Sequence, residues 1–164
     1  MTGRLKRLRP FLAVFRFLSI AGLAGLLAPA ASARVGETEQ ELIARHGPVT
    51  SRQPARKSSQ GKMYIIGERL TFRSEDWGVS TLIIRGRCEE INYTKQGEWT
   101  EVQFSYLLEV NGGRAQWTEE KTRNPKVRRD WIRRRDQTTA GWGLSGFMVR
   151  TPAVEQALTV AASP

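Results

Sequence analysis

The chain has 164 residues, with 26 basic and 16 acidic side chains and a formal net charge of +10. Its single cysteine excludes an internal disulfide, and one cysteine with one histidine cannot complete a tetrahedral zinc site. A domain without disulfides or a structural metal needs an ordinary apolar core, and a content of 40% hydrophobic residues is compatible with one.

The first 33 residues have the organisation of a secretory signal peptide. A basic segment without acidic residues precedes an uncharged run from Phe17 to Ala33, and Ala31-Ser32-Ala33 supplies small residues before a cut. The alternative is an uncleaved membrane anchor, but a spanning helix needs about 20 apolar residues and this core is shorter. The position directly after Ala33 is Arg34 and not a cysteine, so a lipoprotein signal is absent. We expect cleavage after Ala33 and a periplasmic or extracellular protein.

The positive charge is concentrated in one segment of the expected mature chain. Residues 1–33 hold five basic and no acidic side chains, so 21 basic and 16 acidic residues remain beyond them, a formal charge of +5. Residues 121–135 hold eight basic residues and only Asp130 as an acid, a charge of +7, which leaves −2 for the rest. A local patch of this kind can act as a binding surface.

The first half of the expected mature chain predicts one helix followed by strands. Residues 36–48 form the helix, with Thr38 as N-cap, Glu41 as its capping-box partner, and Gly47-Pro48 as the stop. The polar stretch 51–61 predicts a loop or linker. Alternating apolar residues and glycine boundaries then predict strands, at 62–74 around Gly67, at 79–85 and at 88–94.

Residues 100–113 fit two patterns. As a strand, the segment alternates through Val102, Phe104, Tyr106, Leu108 and Val110. As a helix, it places Trp99, Val102, Tyr106, Leu107 and Val110 on one stripe, and Asn111-Gly112 suits a helix end. Periodicity alone leaves both structures open.

The C-terminal third predicts strands and a short terminal helix. Strands are expected at 114–119, 130–135, 138–143 and 146–151, with Asp136-Gln137 as a two-residue hairpin loop. Thr151 then reads as an N-cap, with Pro152 in the first turn of a helix over 153–162. The order predicts an α+β fold, in which helices pack on one side of an antiparallel sheet. We expect a single domain over 34–164; an alternative description divides it into similar helix-plus-strands halves, 34–95 and 96–151.

Three motifs resemble a group of small uncharacterised exported bacterial proteins of the Verrucomicrobia type. RVGETEQELIARHGPV (34–49) is similar to the helix that opens those proteins, and LLEVNGGRAQW (107–117) to their second helix and following Trp. WIRRRDQTTAGW (131–142) matches the Trp, Arg and Asp of their hairpin, but has Gln137 where Gly is usual. The resemblance implies a helix over 100–111 and implies no function.

A weaker likeness concerns the fold alone. A short helix followed by a strand meander, present twice, is similar to modules of BamE-type outer-membrane assembly lipoproteins and of β-lactamase-inhibitor proteins. This likeness implies a binding module rather than an enzyme.

The basic stretch KVRRDWIRRRD (126–136) is the main candidate binding site. The residues that would contact an anionic envelope surface or an acidic protein are Lys126, Arg128, Arg129, Trp131, Arg133, Arg134 and Arg135. A nucleic-acid partner is disfavoured because an exported protein rarely meets one. The competing interpretation is that these charges only protect an exposed sheet edge from pairing with another chain.

Catalytic signals are weak, so we predict a non-enzyme without metal or cofactor. The alternative is a secreted enzyme using Cys88 as nucleophile and His46 as base, but the two lie in different elements and a core thiol is the commoner case. Glu89 and Glu90 are adjacent in a strand, so they face opposite ways and cannot pair as acid and base. Trp131 and Trp142, across the predicted hairpin, offer a further alternative as a ligand-stacking pair.

Overall fold

The structure is a computed structural model that describes residues 34–73, 77–113, 116–122, 127–144 and 146–163. Three helices and eight strands occur in these residues, and the predicted α+β class is confirmed. In chain order they are α1 (Glu39–His46), β1 (Ser51–Ser59), β2 (Lys62–Arg73), β3 (Gly78–Ile84), β4 (Arg87–Thr94), α2 (Glu101–Val110), β5 (Trp117–Glu120), β6 (Val127–Arg133), β7 (Thr138–Gly143), β8 (Gly146–Arg150) and α3 (Ala153–Ala162).

All eight strands belong to one antiparallel sheet, in the order β1-β2-β3-β4-β8-β7-β6-β5. Each strand from β1 to β4 pairs with the next, and the same holds from β5 to β8. The two meanders meet where β4 pairs with β8, so Ile91 lies beside Val149 and Tyr93 beside Phe147. The last strands of the two meanders are therefore central, and the first strands form the edges.

Capping boxes define the start of α1 and of α2. Thr38 accepts from the Glu41 amide while the Glu41 carboxylate accepts from Thr38, and Thr100 and Gln103 repeat the arrangement. The helix predicted for 36–48 is confirmed, and residues 101–110 are helical as the resemblance implied. The predicted stripe of α2 is wrong at one position, however, because Val102 is 78% exposed.

The prediction of a loop over 51–61 is wrong, because residues 51–59 form the edge strand β1. This strand pairs only with β2 and buries only Ala55. An edge strand tolerates polar side chains and a proline such as Pro54, since one side of its backbone has no neighbour to bond. Its composition therefore resembles that of a loop.

Apolar clusters lie on both faces of the sheet, so the predicted one-sided helix packing is wrong. On the first face, α1 and α2 cover the larger cluster, which includes Leu42, Phe104 and Phe147. On the second face, α3 covers Ala55, Ile66, Leu82 and Ile84 through Val154, Ala157, Leu158 and Ala161. Those four α3 residues follow the i, i+3, i+4, i+7 spacing of one helical face. An apolar face of this kind is stabilised by packing against other apolar side chains, here those of the sheet.

The start of α3 differs from the expectation. Its N-cap position is occupied by Pro152, with no side-chain cap hydrogen bond. The Thr151 hydroxyl instead donates to the Glu89 carboxylate on β4. Within the described ranges, no helix combines the length and apolar character needed to cross a membrane.

Candidate functional site: the basic hairpin

Residues 127–136 of the basic stretch lie in a β-hairpin, formed by β6, β7 and the turn 134–137, which we call the basic hairpin. Arg133 pairs with Thr138, so the loop has four residues and the predicted two-residue turn at Asp136-Gln137 is wrong. Gln137 has the positive φ (59°) expected where glycine is usual. On its other side β6 pairs with β5, so the sheet edge here is β5 and not the arginine-rich strand.

Trp131 belongs to the core, which corrects its prediction as an exposed stacking surface. Its side chain is 5% exposed, and its ring centroid lies 5.9 Å from that of Phe104 and 5.8 Å from that of Phe147. It lies opposite Ala140 in the hairpin, whereas Trp142 lies opposite Arg129. Trp131 and Trp142 therefore do not form the expected ligand-stacking pair across the strands.

Arg129 connects α2 to two strands. Its guanidinium forms a bidentate pair with Glu119 on β5, at 2.7 and 2.8 Å, and an ion pair with Glu101 on α2. It also lies 4.8 Å from the ring centroid of Trp131. The hydrogen bond with Glu119 raises the pKa of Arg129 and lowers that of Glu119. Arg129 is therefore part of the packing between helix and sheet and is not a free docking group.

Arg133 holds the hairpin turn and the end of α2. It contacts Asp136 at 2.8 Å, donates to the Thr138 hydroxyl at 3.1 Å, and donates to the carbonyl oxygen of Asn111. Its side chain is only 12% exposed and lies 5.3 Å from the Trp117 ring. The hydrogen bond from Arg133 lowers the pKa of Asp136 to about 2. Arg133 is thus structural, which removes it from the predicted docking surface.

Arg128, Arg134 and Arg135 are the exposed cations of the hairpin. A bulge between Val127 and Arg129 leaves Arg128 without a direct partner in the pairing, and its guanidinium lies over Trp142 at 5.1 Å. Arg134 and Arg135 lie in the turn at the other end, about 20 Å away at the usual rise per residue. Arg134 is 3.5 Å from Glu120. Lys126, also predicted to contact a partner, lies outside the described residues.

Cys88 and His46 have no catalytic arrangement. Cys88 is fully buried on β4, where burial raises the pKa of its thiol, and its Sγ contacts the carbonyl oxygen of Glu90 at 3.6 Å. His46 packs against Phe72 with a centroid distance of 5.5 Å, and burial lowers its pKa. No hydrogen bond joins Cys88 and His46 in the part of the chain that the structure describes.

A buried charge cluster around Glu90 was not predicted. Glu90 is 4% exposed and forms ion pairs with Arg69 and Arg150, both at 2.8 Å, and with Lys57 at 3.5 Å. Burial alone would raise the pKa of Glu90, but the hydrogen bond from Arg69 and the other cations outweigh it and the pKa is lowered. The sequence signal for it was weak, because Glu90 lies in a predicted strand in which most residues are polar. In the described ranges, no group of ligating side chains could hold a metal ion.

No protein-family model and no curated protein matches this chain. Among solved structures, a cysteine-rich secretory protein from Staphylococcus aureus subsp. aureus Mu50 is similar, with a TM-score of 0.39 and 10% sequence identity. The match covers 73% of this chain and 45% of that protein. The chain therefore spans less than half the length of that structure.

Proposed function

We propose that this chain is an exported, non-catalytic binding module that contacts an anionic partner through the hairpin tip, residues 134–137. The division of roles among the arginines carries the proposal. Arg129 and Arg133 form ion pairs within the protein. Arg134 is 72% exposed, and Arg135 beside it is also exposed. Both project from a turn that Arg133 and Asp136 hold in place, so their ordering cost on binding is reduced.

The residues before Arg34 support export. Their basic segment, short apolar core and Ala31-Ser32-Ala33 site match a signal peptide cleaved after Ala33. An exported protein in a bacterial envelope meets anionic lipid headgroups and acidic protein surfaces, and these are the partner classes that exposed arginines would attract.

The burial of Cys88 supports a non-catalytic role. The alternative function, a secreted enzyme using Cys88, requires a thiolate that substrate can reach, and nucleophilic cysteines have lowered pKa values and partial exposure. Cys88 has neither property, since it is 0% exposed and burial raises its pKa.

The test is a charge reversal at the tip, Arg134→Glu/Arg135→Glu. We expect binding to anionic liposomes, or capture of an acidic envelope protein, to be lost in this variant. In the wild type, binding should weaken between 0.1 and 1 M salt, because the Debye length falls from about 10 Å to about 3 Å. Arg133 is left intact because its loss would disturb the fold.

A matched control reverses two exposed cations on the opposite half of the sheet, Arg56→Glu/Lys62→Glu. This control makes the same change in net charge and should bind like the wild type. Equal binding of all three proteins to anionic liposomes and to envelope extract would contradict docking at the tip. The hairpin charges would then serve only the structure, through the internal ion pairs of Arg129 and Arg133.

A further inference from the structure

We propose that a second site, distinct from the hairpin tip, binds a small amphipathic anion: an apolar chain or ring that carries one negatively charged group. The site is a cleft of about 540 Å³ where the β4–α2 connection meets the turn between β7 and β8. We call it the end cleft. Its residues with chemical character are Lys95, Glu98, Trp99, Arg128, Trp142 and Leu144.

Two indoles form preorganised walls of the end cleft. Both contact Phe104 of α2, which is 3% exposed: Trp99 stacks on it at 5.8 Å with an interplanar angle of 5°, and Trp142 lies 5.0 Å away. Trp77 packs edge-on against Trp99 at 5.2 Å. Because these contacts hold the indoles in place without a ligand, the walls need little reorganisation on binding.

A cationic side chain lies over each indole ring. The Arg128 guanidinium lies 5.1 Å from the Trp142 ring centroid, and the Lys95 ammonium lies 5.9 Å from that of Trp99. Lys95 also donates to the Gln103 side chain at 3.1 Å, which directs it across the start of α2. Neither cation forms an ion pair with a carboxylate within the described ranges. Two cations that lie over apolar walls favour one anionic group between them.

Leu144 offers a contact for the apolar part of the ligand. This side chain is 83% exposed in the β7–β8 turn and lies at the same cleft as the two indoles. A lone exposed leucine needs no explanation, but this one adds a third apolar side chain to a cleft that two tryptophans also line. The volume is typical of small-molecule sites, which favours a small ligand over a protein segment. Glu98 at the rim disfavours ligands with several negative charges.

The test is isothermal titration calorimetry with three probes, using the protein purified from an exporting host. Decanoate combines the apolar chain with a negative group, acetate has the charge alone, and decan-1-ol has the chain alone. We expect saturable binding of decanoate and at least about tenfold weaker binding of the other two, since a charge-assisted contact contributes roughly one order of magnitude or more. Equal binding of decan-1-ol, or no saturable binding of decanoate, would overturn the proposal.

Variants locate the site. Arg128→Gln should weaken decanoate binding about tenfold, because it removes the charge while retaining a polar side chain over Trp142. Leu144→Ser should also weaken decanoate binding. It should not destabilise the fold, because the Leu144 side chain is 83% exposed. Arg56→Gln, which removes an exposed cation on β1 in the opposite half of the sheet, should leave affinity unchanged. Decanoate binding that survives both cleft variants would refute the site, whatever the result for docking at the tip.

Discussion

Arginines that are neighbours in the sequence occupy different environments, because a strand alternates its side chains and a bulge interrupts that alternation. Arg129 and Arg133 share the α2 face with Trp131, so they pair with carboxylates beside the core. Arg128 sits in the bulge and Arg134 follows the last strand residue, so both reach solvent. A count of charges in this window therefore overstates the number of cations available to a partner.

Cys88 offers a test of the enzyme alternative at the same scale. We expect the native thiol to react with iodoacetamide near neutral pH far more slowly than the thiol of the denatured chain. The reason is that Cys88 is fully buried and its pKa is raised, so little thiolate is present or reachable. The denatured protein provides the reference rate, as the sequence contains no other cysteine. Rapid labelling of the folded protein would favour a catalytic thiol.

Among the elements, the β6–β7 turn shows how a long-range contact adds to local turn contacts. Gln137 occupies a left-handed conformation that favours glycine. The turn is held by Asp136, which accepts from Arg133 and from the Thr138 amide at 3.1 Å, while Arg133 also reaches the end of α2. The short loop is thus stabilised by its attachment to the helix as well as by its own sequence.

Asp136→Asn should lower the free energy of unfolding by about 0.5–1 kcal/mol at neutral pH, the upper part of the range for ion pairs that reach solvent, since Asp136 is 46% exposed. The pKa of Asp136 is about 2 in the folded protein and 3.8 for the unperturbed side chain. A lowered folded-state pKa stabilises the fold above the unfolded value, and that contribution is lost as the pH falls through the folded value. Urea unfolding should therefore show a constant difference from wild type above pH 5.

The difference should shrink between pH 4 and pH 2, as the carboxylate becomes protonated in both states. Asp130→Asn is the matched control, since it makes the same substitution in the same hairpin away from Arg133. A difference between Asp136→Asn and wild type that persists undiminished at pH 2 would show that the Arg133 pair is not its source.

At the scale of the whole molecule, an apolar cluster and a buried charge cluster both connect the two meanders. The larger apolar cluster combines Leu42 of α1 with Phe104 of α2 and Phe147 of β8. On the other face, the Glu90 cluster connects β1, β2, β4 and β8 through Lys57, Arg69 and Arg150. Removing either meander would leave a buried carboxylate or an apolar surface without its partners.

Residues 34–95 expressed alone should therefore lack a cooperative unfolding transition. In this fragment β4 loses its pairing with β8, and Ile91 and Tyr93 lose Val149 and Phe147. Urea unfolding followed by circular dichroism, with the intact chain as control, measures the outcome. A sigmoidal transition with a denaturant dependence appropriate to the fragment would show that the halves are independent domains.

Local patterns in the sequence determined the elements whose signals involve neighbours in the chain. The capping box of α1 and the stop at Gly47 depend on residues within a few positions of one another, and the structure confirms this helix. The strands of the central sheet likewise follow from alternation. The α+β class could be predicted from their order because each type of element must bury one face.

Tertiary structure decided the features that depend on residues far apart. The polar segment β1 is a strand because β2 lies beside it, and α3 covers the second face because Ala55, Ile66 and Leu82 meet there. The end cleft exists because the fold brings Trp99 and Trp142 to the same phenylalanine. Burial, charge pairing and cleft shape are properties of the folded contacts, and no local pattern encodes them.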